Sequence, residues 1–309
     1  MKIDAWDKKI LTNLYQNSRA TLGELSKKVG LPKENIHYKL KRFEKANFIN
    51  YIPYSNLSKL GYDYFLVRMR VDPFSNKYNK FINDLTKSKS ILWLSETGIY
   101  RGTDYNITAI RLHNNFSTVQ DYFTDLVNTN TIERFELSLI GTMGFNYNYN
   151  LFNWFMKTGT HRFENKIDEK DIKIVLKLFE NSRVSLNELG SKLKLSPLTI
   201  KNRIKKLVKN DIIERFIISL NFNKLDGKFI VVSYDVNKKM VSLKIREVLS
   251  KYFSDIVTIS VFFTQKRMLF GYVKDKNKFL KAMSELNKID GMNISSVYEN
   301  TRILKNKIF

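Results

Sequence analysis

Apolar residues recur at helical spacing in three short runs near the start of the chain, and three similar runs return 164 residues later. In the later set, Ile172, Val175, Leu176 and Phe179 predict the inner face of a first helix. Around 196–209, Ile200, Ile204, Leu207 and Val208 fall at i, i+4, i+7 and i+8 and predict a buried stripe. Ile36, Leu40 and Phe43 keep that stripe in the earlier set. Asp4 and Asp168 are good N-caps, each followed three residues later by another Asp that suits the first turn's dipole. Thr21-x-x-Glu24 and Ser185-x-x-Glu188 read as capping boxes. Ser196 caps the third helix with Pro197 at its first position, whereas Pro32 at the matching place offers no capping oxygen. Two helices joined by a tight turn and packed on a first describe a helix-turn-helix domain. "FINYIPYSNL" and "IIERFIISL", which follow the two sets, read as a small wing or a hinge strand.

Strands and helices then alternate. "YFLVRMRV" (64–71), "ILWLSET" (91–97), "YNITAIRL" (105–112) and "ERFELSLIG" (133–141) read as strands, with helices over 77–88 and 118–128. The later half repeats this order through "KFIVVSYDV", "SLKIREVLSKYF", "VTISVFF", "MLFGYV", "KFLKAMSELNKI" and "ISSVYENTRIL". β-α-β-β-α-β is the ferredoxin-like arrangement, an antiparallel sheet backed by two helices. The predicted fold class is therefore α+β: two copies of a winged helix-turn-helix domain followed by a ferredoxin-like βαββαβ domain. The boundaries fall at 1–55, 61–145, 167–220 and 226–309, with a connector over 146–166. That connector is too rich in Phe, Trp and Tyr for a flexible linker, so its rings are expected to pack on a neighbour. The uncovered face of each sheet is expected to lie on the other half's sheet.

Between Ile3 and Ile49, 18 of 47 positions match their counterparts at the 164-residue offset without a gap, which reads as an internal duplication of a whole module. Composition narrows the class further. The 53 Lys and Arg against 30 Asp and Glu give a net charge of +23, which favours a polyanionic partner, chiefly nucleic acid or an acidic membrane face. A Lys-rich bias is the bland alternative, since Lys outnumbers Arg roughly three to one. With no Cys there is no disulfide, thiol chemistry or Cys-ligated metal. No run suits a membrane span, and "MKIDAWDKKIL" does not read as a secretory signal, so a cytoplasmic, nucleoid-associated protein is expected.

Opposite its buried stripe, the 196–209 helix turns Leu198, Thr199, Asn202, Lys205, Lys206 and Lys209 outward, with Lys201 and Arg203 flanking. It carries +5 and no acid, suited to a DNA major groove. Asn202 is the candidate for bidentate contact with adenine, and the Lys residues for phosphates. In the earlier helix the DNA-contact candidates are Asn35, Tyr38, Lys41, Arg42 and Lys45, with Glu34 and Glu44 reducing its charge to about +3. The competing reading is a solvated amphipathic helix whose charges only aid solubility. His37 falls on the helix flank and reads as a surface histidine.

The string "ID..D.KIL..L..NSR.S..EL...L.LS...I..RI..L....II" followed by βαββαβ resembles the Lrp/AsnC (feast/famine) regulators. Ile167–Ile213 carries nearly all of it and Ile3–Ile49 most of it. The resemblance implies a winged helix-turn-helix that binds double-stranded DNA, attached to an effector-sensing, self-associating α/β domain. It also implies a dimer, here fused into one chain as an intramolecular pseudo-dimer, with homodimers or larger rings beyond it. By the same resemblance Thr97, Gly98, Gly102 and Asp104 of "SETGIYRGTDYNITAI" would help form a pocket for an amino-acid-like effector, although a plain hairpin loop fits as well. "FFTQKRMLFGY" in the later half has no Gly or Asp in that loop and is not expected to bind an effector in the usual way. Two other functions stay open: an architectural protein that compacts DNA, and an enzyme similar to the tetrapyrrole decarboxylases of this family. No catalytic set, metal-ligand pattern or cofactor motif appears among His37, His113 and His161 and their neighbours, so no catalytic residue, metal or cofactor is expected.

Overall fold

A computed structural model describes residues 2–101, 104–140, 142–147, 154–157, 167–236, 244–245, 247–248, 251, 257–262, 266–273 and 275–306. In chain order the elements are α1 (Ala5–Gln16), α2 (Leu22–Val29), α3 (Lys33–Lys45), β1 (Ile49–Ser55), β2 (Asp63–Arg70), α4 (Tyr78–Lys87), β3 (Ile91–Arg101) and β4 (Ile107–His113). Next come α5 (Phe116–Asn128), β5 (Arg134–Leu139), β6 (Thr142–Tyr147), β7 (Trp154–Lys157), α6 (Glu169–Glu180), α7 (Leu186–Leu193), α8 (Pro197–Lys209) and β8 (Ile213–Leu220). β9 (Lys228–Val236), β10 (Val257–Phe262), β11 (Lys266–Val273), α9 (Lys276–Leu286) and β12 (Met292–Asn306) complete the order. The helix expected over 242–253 lies mostly outside the described residues. The backbone gathers into two units that both cross the chain: residues 1–61 with 160–225 and 306–309, and residues 62–159 with 226–305.

The first unit holds both helix-turn-helix domains. Each bound of α6, α7 and α8 is 164 greater than the matching bound of α1, α2 and α3, although the third helices start differently. Asp4 and Asp168 each accept from the backbone of the Asp three residues on, and each of those Asp side chains accepts in return from the cap's N–H. Thr21 and Glu24 close a full capping box, while Ser185 contributes only the forward half. Ser196 caps α8, and α3 starts at Pro32 without a side-chain cap. One expected face is corrected. The inner residues of α6 are Ile174, Val175 and Leu178, while Leu176 is exposed and Ile172 and Phe179 are half-buried. Asp171 is itself turned inward, and that sets the helix phase: the buried positions follow it at i+3, i+4 and i+7. Val208 leaves the buried stripe as well, at 40% exposure, as Glu44 does at the matching position of α3.

The turn after α2 uses Gly30 at φ +80°, and the turn after α7 places Lys194 in the same left-handed region at φ +54°. A side chain there is strained where glycine is not. Lys194→Gly should therefore stabilise the second helix-turn-helix by about 1 kcal/mol, read as a raised denaturant midpoint at unchanged slope. A lowered midpoint would contradict this account.

β1 and β8 pair antiparallel with each other, in register from Ile49 opposite Leu220 to Tyr54 opposite Arg215. The expected wings are thus one shared two-stranded ribbon. α1 packs on β8 and α6 on β1, so each domain's first helix seats on the other domain's strand. A reciprocal brace finishes the join. Arg19 Nε donates to the Ser182 carbonyl at 2.7 Å, and Arg183 Nε to the Ser18 carbonyl at 2.5 Å. The Arg19 guanidinium lies 3.9 Å over Phe216, and that of Arg183 lies 4.4 Å over Tyr51. The Ser18 and Ser182 hydroxyls meet at 3.4 Å, both fully buried.

The second unit is a ten-stranded sheet in the order β5-β2-β4-β3-β12-β9-β11-β10-β6-β7. Each run of four from one half, β5-β2-β4-β3 and β12-β9-β11-β10, has the ferredoxin-like order. α4 and α5 cover one face of the first half, burying Phe81, Leu85, Val119 and Phe123 on Phe65, Val67 and Met69. The halves were expected to meet face to face. They join by their edges through β3 and β12, which pairs two strand edges that would otherwise be open. Trp93 of β3 also meets Phe229 of β9 at 5.3 Å, and Lys305 of β12 donates to the Thr86 and Ser88 carbonyls at the end of α4. Part of the expected connector is strand: β6 pairs with β10 and β7 with β6, carrying chain from the first half onto the second half's edge.

Candidate nucleic-acid interface

The two third helices expose matching faces of unlike chemistry. On α8, Leu198, Lys201, Asn202, Lys205 and Lys209 are exposed while Ile200, Ile204 and Leu207 are buried. On α3, Glu34, Asn35, His37, Tyr38, Lys41 and Lys45 are exposed over buried Ile36, Leu40 and Phe43. Thr199 is half-buried at the start of α8, where its hydroxyl lies 2.7 Å from the capping Ser196 hydroxyl.

Three of the expected contacts already hold internal partners. Arg203 Nη1 lies 2.8 Å from Asp168 and 2.7 Å from Asp171, and Lys206 Nζ lies 2.9 Å from Asp171. In the first domain Lys39 Nζ lies 2.7 Å from Asp4 and 2.8 Å from Asp7, and Arg42 Nη2 lies 2.5 Å from Asp7. The Asp7 and Asp171 carboxylates are fully buried, so each requires this charge compensation. Hydrogen bonds from Lys39 and the helix backbone hold Asp4 below the ordinary carboxylate range, and those from the backbone and Arg203 do the same for Asp168. The clamp fixes the tilt of α3 on α1 and of α8 on α6. The sequence held its signature: both Asp positions and both cationic positions persist at the 164-residue offset. Lys39, a member of the clamp, was not among the expected site residues.

With Arg203 and Lys206 committed, Lys201, Lys205 and Lys209 remain as the exposed cations of α8, without an ion pair among the described residues. On α3, Glu44 accepts from the Tyr51 hydroxyl at 2.7 Å, which leaves Glu34 as the acid at the start of the exposed face. Glu214 on β8 is pushed up to about 7 by burial, against the opposing pull of Lys59 and Arg215. Its folded value exceeds the unfolded one, so its contribution is present below the ordinary Glu range and is lost as pH rises toward 7. Glu214→Gln should remove that pH dependence, so that stability at pH 8 gains on stability at pH 5 relative to the parent chain. Parallel pH profiles would refute the assignment.

The expected effector residues are engaged in their own hairpin. Thr97 Oγ1 donates to the Tyr105 carbonyl at 2.9 Å, and Asp104 pairs with Arg134. A Cβ on Gly98 would lie 2.9 Å from the Thr301 methyl of β12, so the seam between β3 and β12 accounts for that glycine. Gly102 lies outside the described residues. His37 is exposed on α3, His113 accepts from the Asn115 N–H at the end of β4, and His161 lies outside the described residues. Among the described residues no cluster of His, Asp and Glu suits a metal ion, and no helix is long and apolar enough to cross a membrane.

Comparisons with known proteins agree with this geometry. The winged helix-turn-helix DNA-binding family matches residues 3–50, and the AsnC-type helix-turn-helix domain matches residues 167–208. An uncharacterized HTH-type transcriptional regulator of Pyrococcus furiosus is 39% identical over 83 residues, which are 27% of this chain and 54% of that protein. The HTH-type transcriptional regulator LrpC of Bacillus subtilis is 37% identical over 60 residues, 19% of this chain and 42% of LrpC. The chain thus spans about half the length of these curated relatives. Among solved structures, the siroheme decarboxylase NirDL in co-complex with an iron-uroporphyrin III analogue aligns with a TM-score of 0.62 at 13% identity. That alignment covers 97% of this chain and 92% of that one and shows a shared fold.

Proposed function

We infer that this chain, with two helix-turn-helix domains of the Lrp/AsnC type, is a DNA-binding transcription regulator whose paired readers are built into one polypeptide as a pseudo-dimer. The observation that carries the reading is the exposed face of α8. Three lysines without an ion pair among the described residues, and Asn202, stand on a helix whose tilt a buried ion-pair clamp fixes. Lys201, Lys205 and Lys209 neutralise phosphates, and Asn202 offers the donor and acceptor that match adenine N7 and N6 in the major groove. α3 retains Lys41 and Lys45 for the same backbone role. Arg42, Arg203 and Lys206 are assigned to the clamp, where they position the reading helices, and Thr199 to the cap of α8. Thr97, Gly98 and Asp104 are assigned to holding their hairpin. The site of work is the nucleoid DNA of the cytoplasm. The test is binding to duplex DNA with salt as the variable: log affinity should fall linearly with log salt. A flat salt response would remove the phosphate contacts and the reading with them.

The shared fold with NirDL favours a second reading, a tetrapyrrole-acting enzyme. Siroheme mixed with the purified chain distinguishes the two readings. The regulator should leave its visible spectrum unchanged, whereas a shifted spectrum and loss of carboxylate groups would establish the enzyme.

A further inference from the structure

We propose that the two readers recognise unlike half-sites, so that the chain binds a non-palindromic operator in one fixed orientation; this rests on the DNA-binding reading above. The exposed positions of α3 and α8 agree only in part. Glu34, Tyr38, Lys41 and Lys45 occupy i, i+4, i+7 and i+11 of one exposed face, and Leu198, Asn202, Lys205 and Lys209 occupy the same places on the other. The two C-terminal positions are lysine in both helices. The N-terminal ones, with His37 against Lys201 between them, all differ. Residues in the N-terminal part of a recognition helix reach base edges, whereas lysines farther along meet phosphates. Both helices therefore dock on the backbone alike and present different chemistry to the bases.

That chemistry is specific at each place. Glu34 is exposed in the first turn of α3 and makes no hydrogen bond or ion pair among the described residues. A carboxylate there repels phosphates and accepts from the amino group of cytosine. Tyr38, 72% exposed, offers an aromatic face for a thymine methyl, and its counterpart Asn202 reads adenine. Leu198, 66% exposed, carries no charge and accepts nothing. The clamps under both helices use the same four positions, so the difference in reading is not a difference in docking.

The experiment selects bound duplexes from a random pool with the full chain. The wild type should return two unlike half-sites in fixed order. The variant E34L/N35T/H37K/Y38N, which gives the N-terminal part of α3 the residues of α8, should return an inverted repeat of the α8 half-site and bind the wild-type site about ten- to hundredfold more weakly. The reciprocal variant L198E/T199N/K201H/N202Y should return an inverted repeat of the other half-site, an independent check on a separate helix. An inverted repeat selected by the wild type, or the wild-type sequence selected by both variants, would overturn the proposal. A pool retained without sequence preference would also overturn it, while leaving DNA binding standing as an architectural activity. Failure to retain any duplex at low salt would overturn both.

Discussion

Replacing Arg203 and Lys206 together by Met lowers the stability of the second helix-turn-helix by about 3–5 kcal/mol, because the fully buried Asp171 is left charged and uncompensated. The reverse deletion is milder. Asp171→Asn leaves Arg203 and Lys206 with a quarter to two fifths of their side chains exposed, and both can turn to water. Its cost is about 1–2 kcal/mol, because the buried amide keeps an oxygen for the Asp168 N–H but loses the charge-assisted bonds to Arg203 and Lys206. The order of the two effects is the test. Denaturant unfolding gives their sizes, and hydrogen exchange at α6 and α8 should place the loss in that domain. If Asp171→Asn proved the more damaging, the buried carboxylate would not be the group that Arg203 and Lys206 serve to compensate.

Removing Lys201, Lys205 and Lys209 together should reduce the slope of log affinity against log salt by about 2.7, at roughly 0.9 per phosphate contact, and weaken binding about a hundredfold near physiological salt. The loss should be similar on every duplex, since phosphate contacts carry no sequence information. Asn202→Ala should do the opposite, weakening the preferred site while leaving random duplex and the salt slope unchanged. A triple variant with the parent's slope would move the interface off α8.

Much of this was legible in the sequence because the signals were local. Asp4, Thr21 and Ser196 mark helix starts within a residue, and each acts within a few residues of itself. The βαββαβ order followed from alternation and run length. Long-range partners were harder to see. Asp7 and Asp171 read as dipole partners of their own helices, and only the fold brings Lys39, Arg42, Arg203 and Lys206 onto them from more than thirty residues away. That is why Arg42, Arg203 and Lys206 looked like contacts for DNA, and why the inner face of α6 was read in the wrong phase. The wings were visible as strands, but nothing in "FINYIPYSNL" names "IIERFIISL" as its mate across more than 150 residues. β7 and the end of β6 fell inside a segment read for its aromatics, and the rest of β6 lay past the last expected strand, although Met143, Phe145 and Tyr147 alternate with Thr142, Gly144 and Asn146.

The β1–β8 ribbon has a consequence for genetics. When two readers sit on separate subunits, dilution parts them, and a cell carrying one damaged allele assembles mixed pairs that spoil the intact product. Here Ile49–Ser55 and Ile213–Leu220 belong to one polypeptide, so their pairing is insensitive to expression level and cannot be exchanged between molecules without opening the ribbon. A few copies of the protein per cell accordingly hold their two helix-turn-helix domains together as firmly as many.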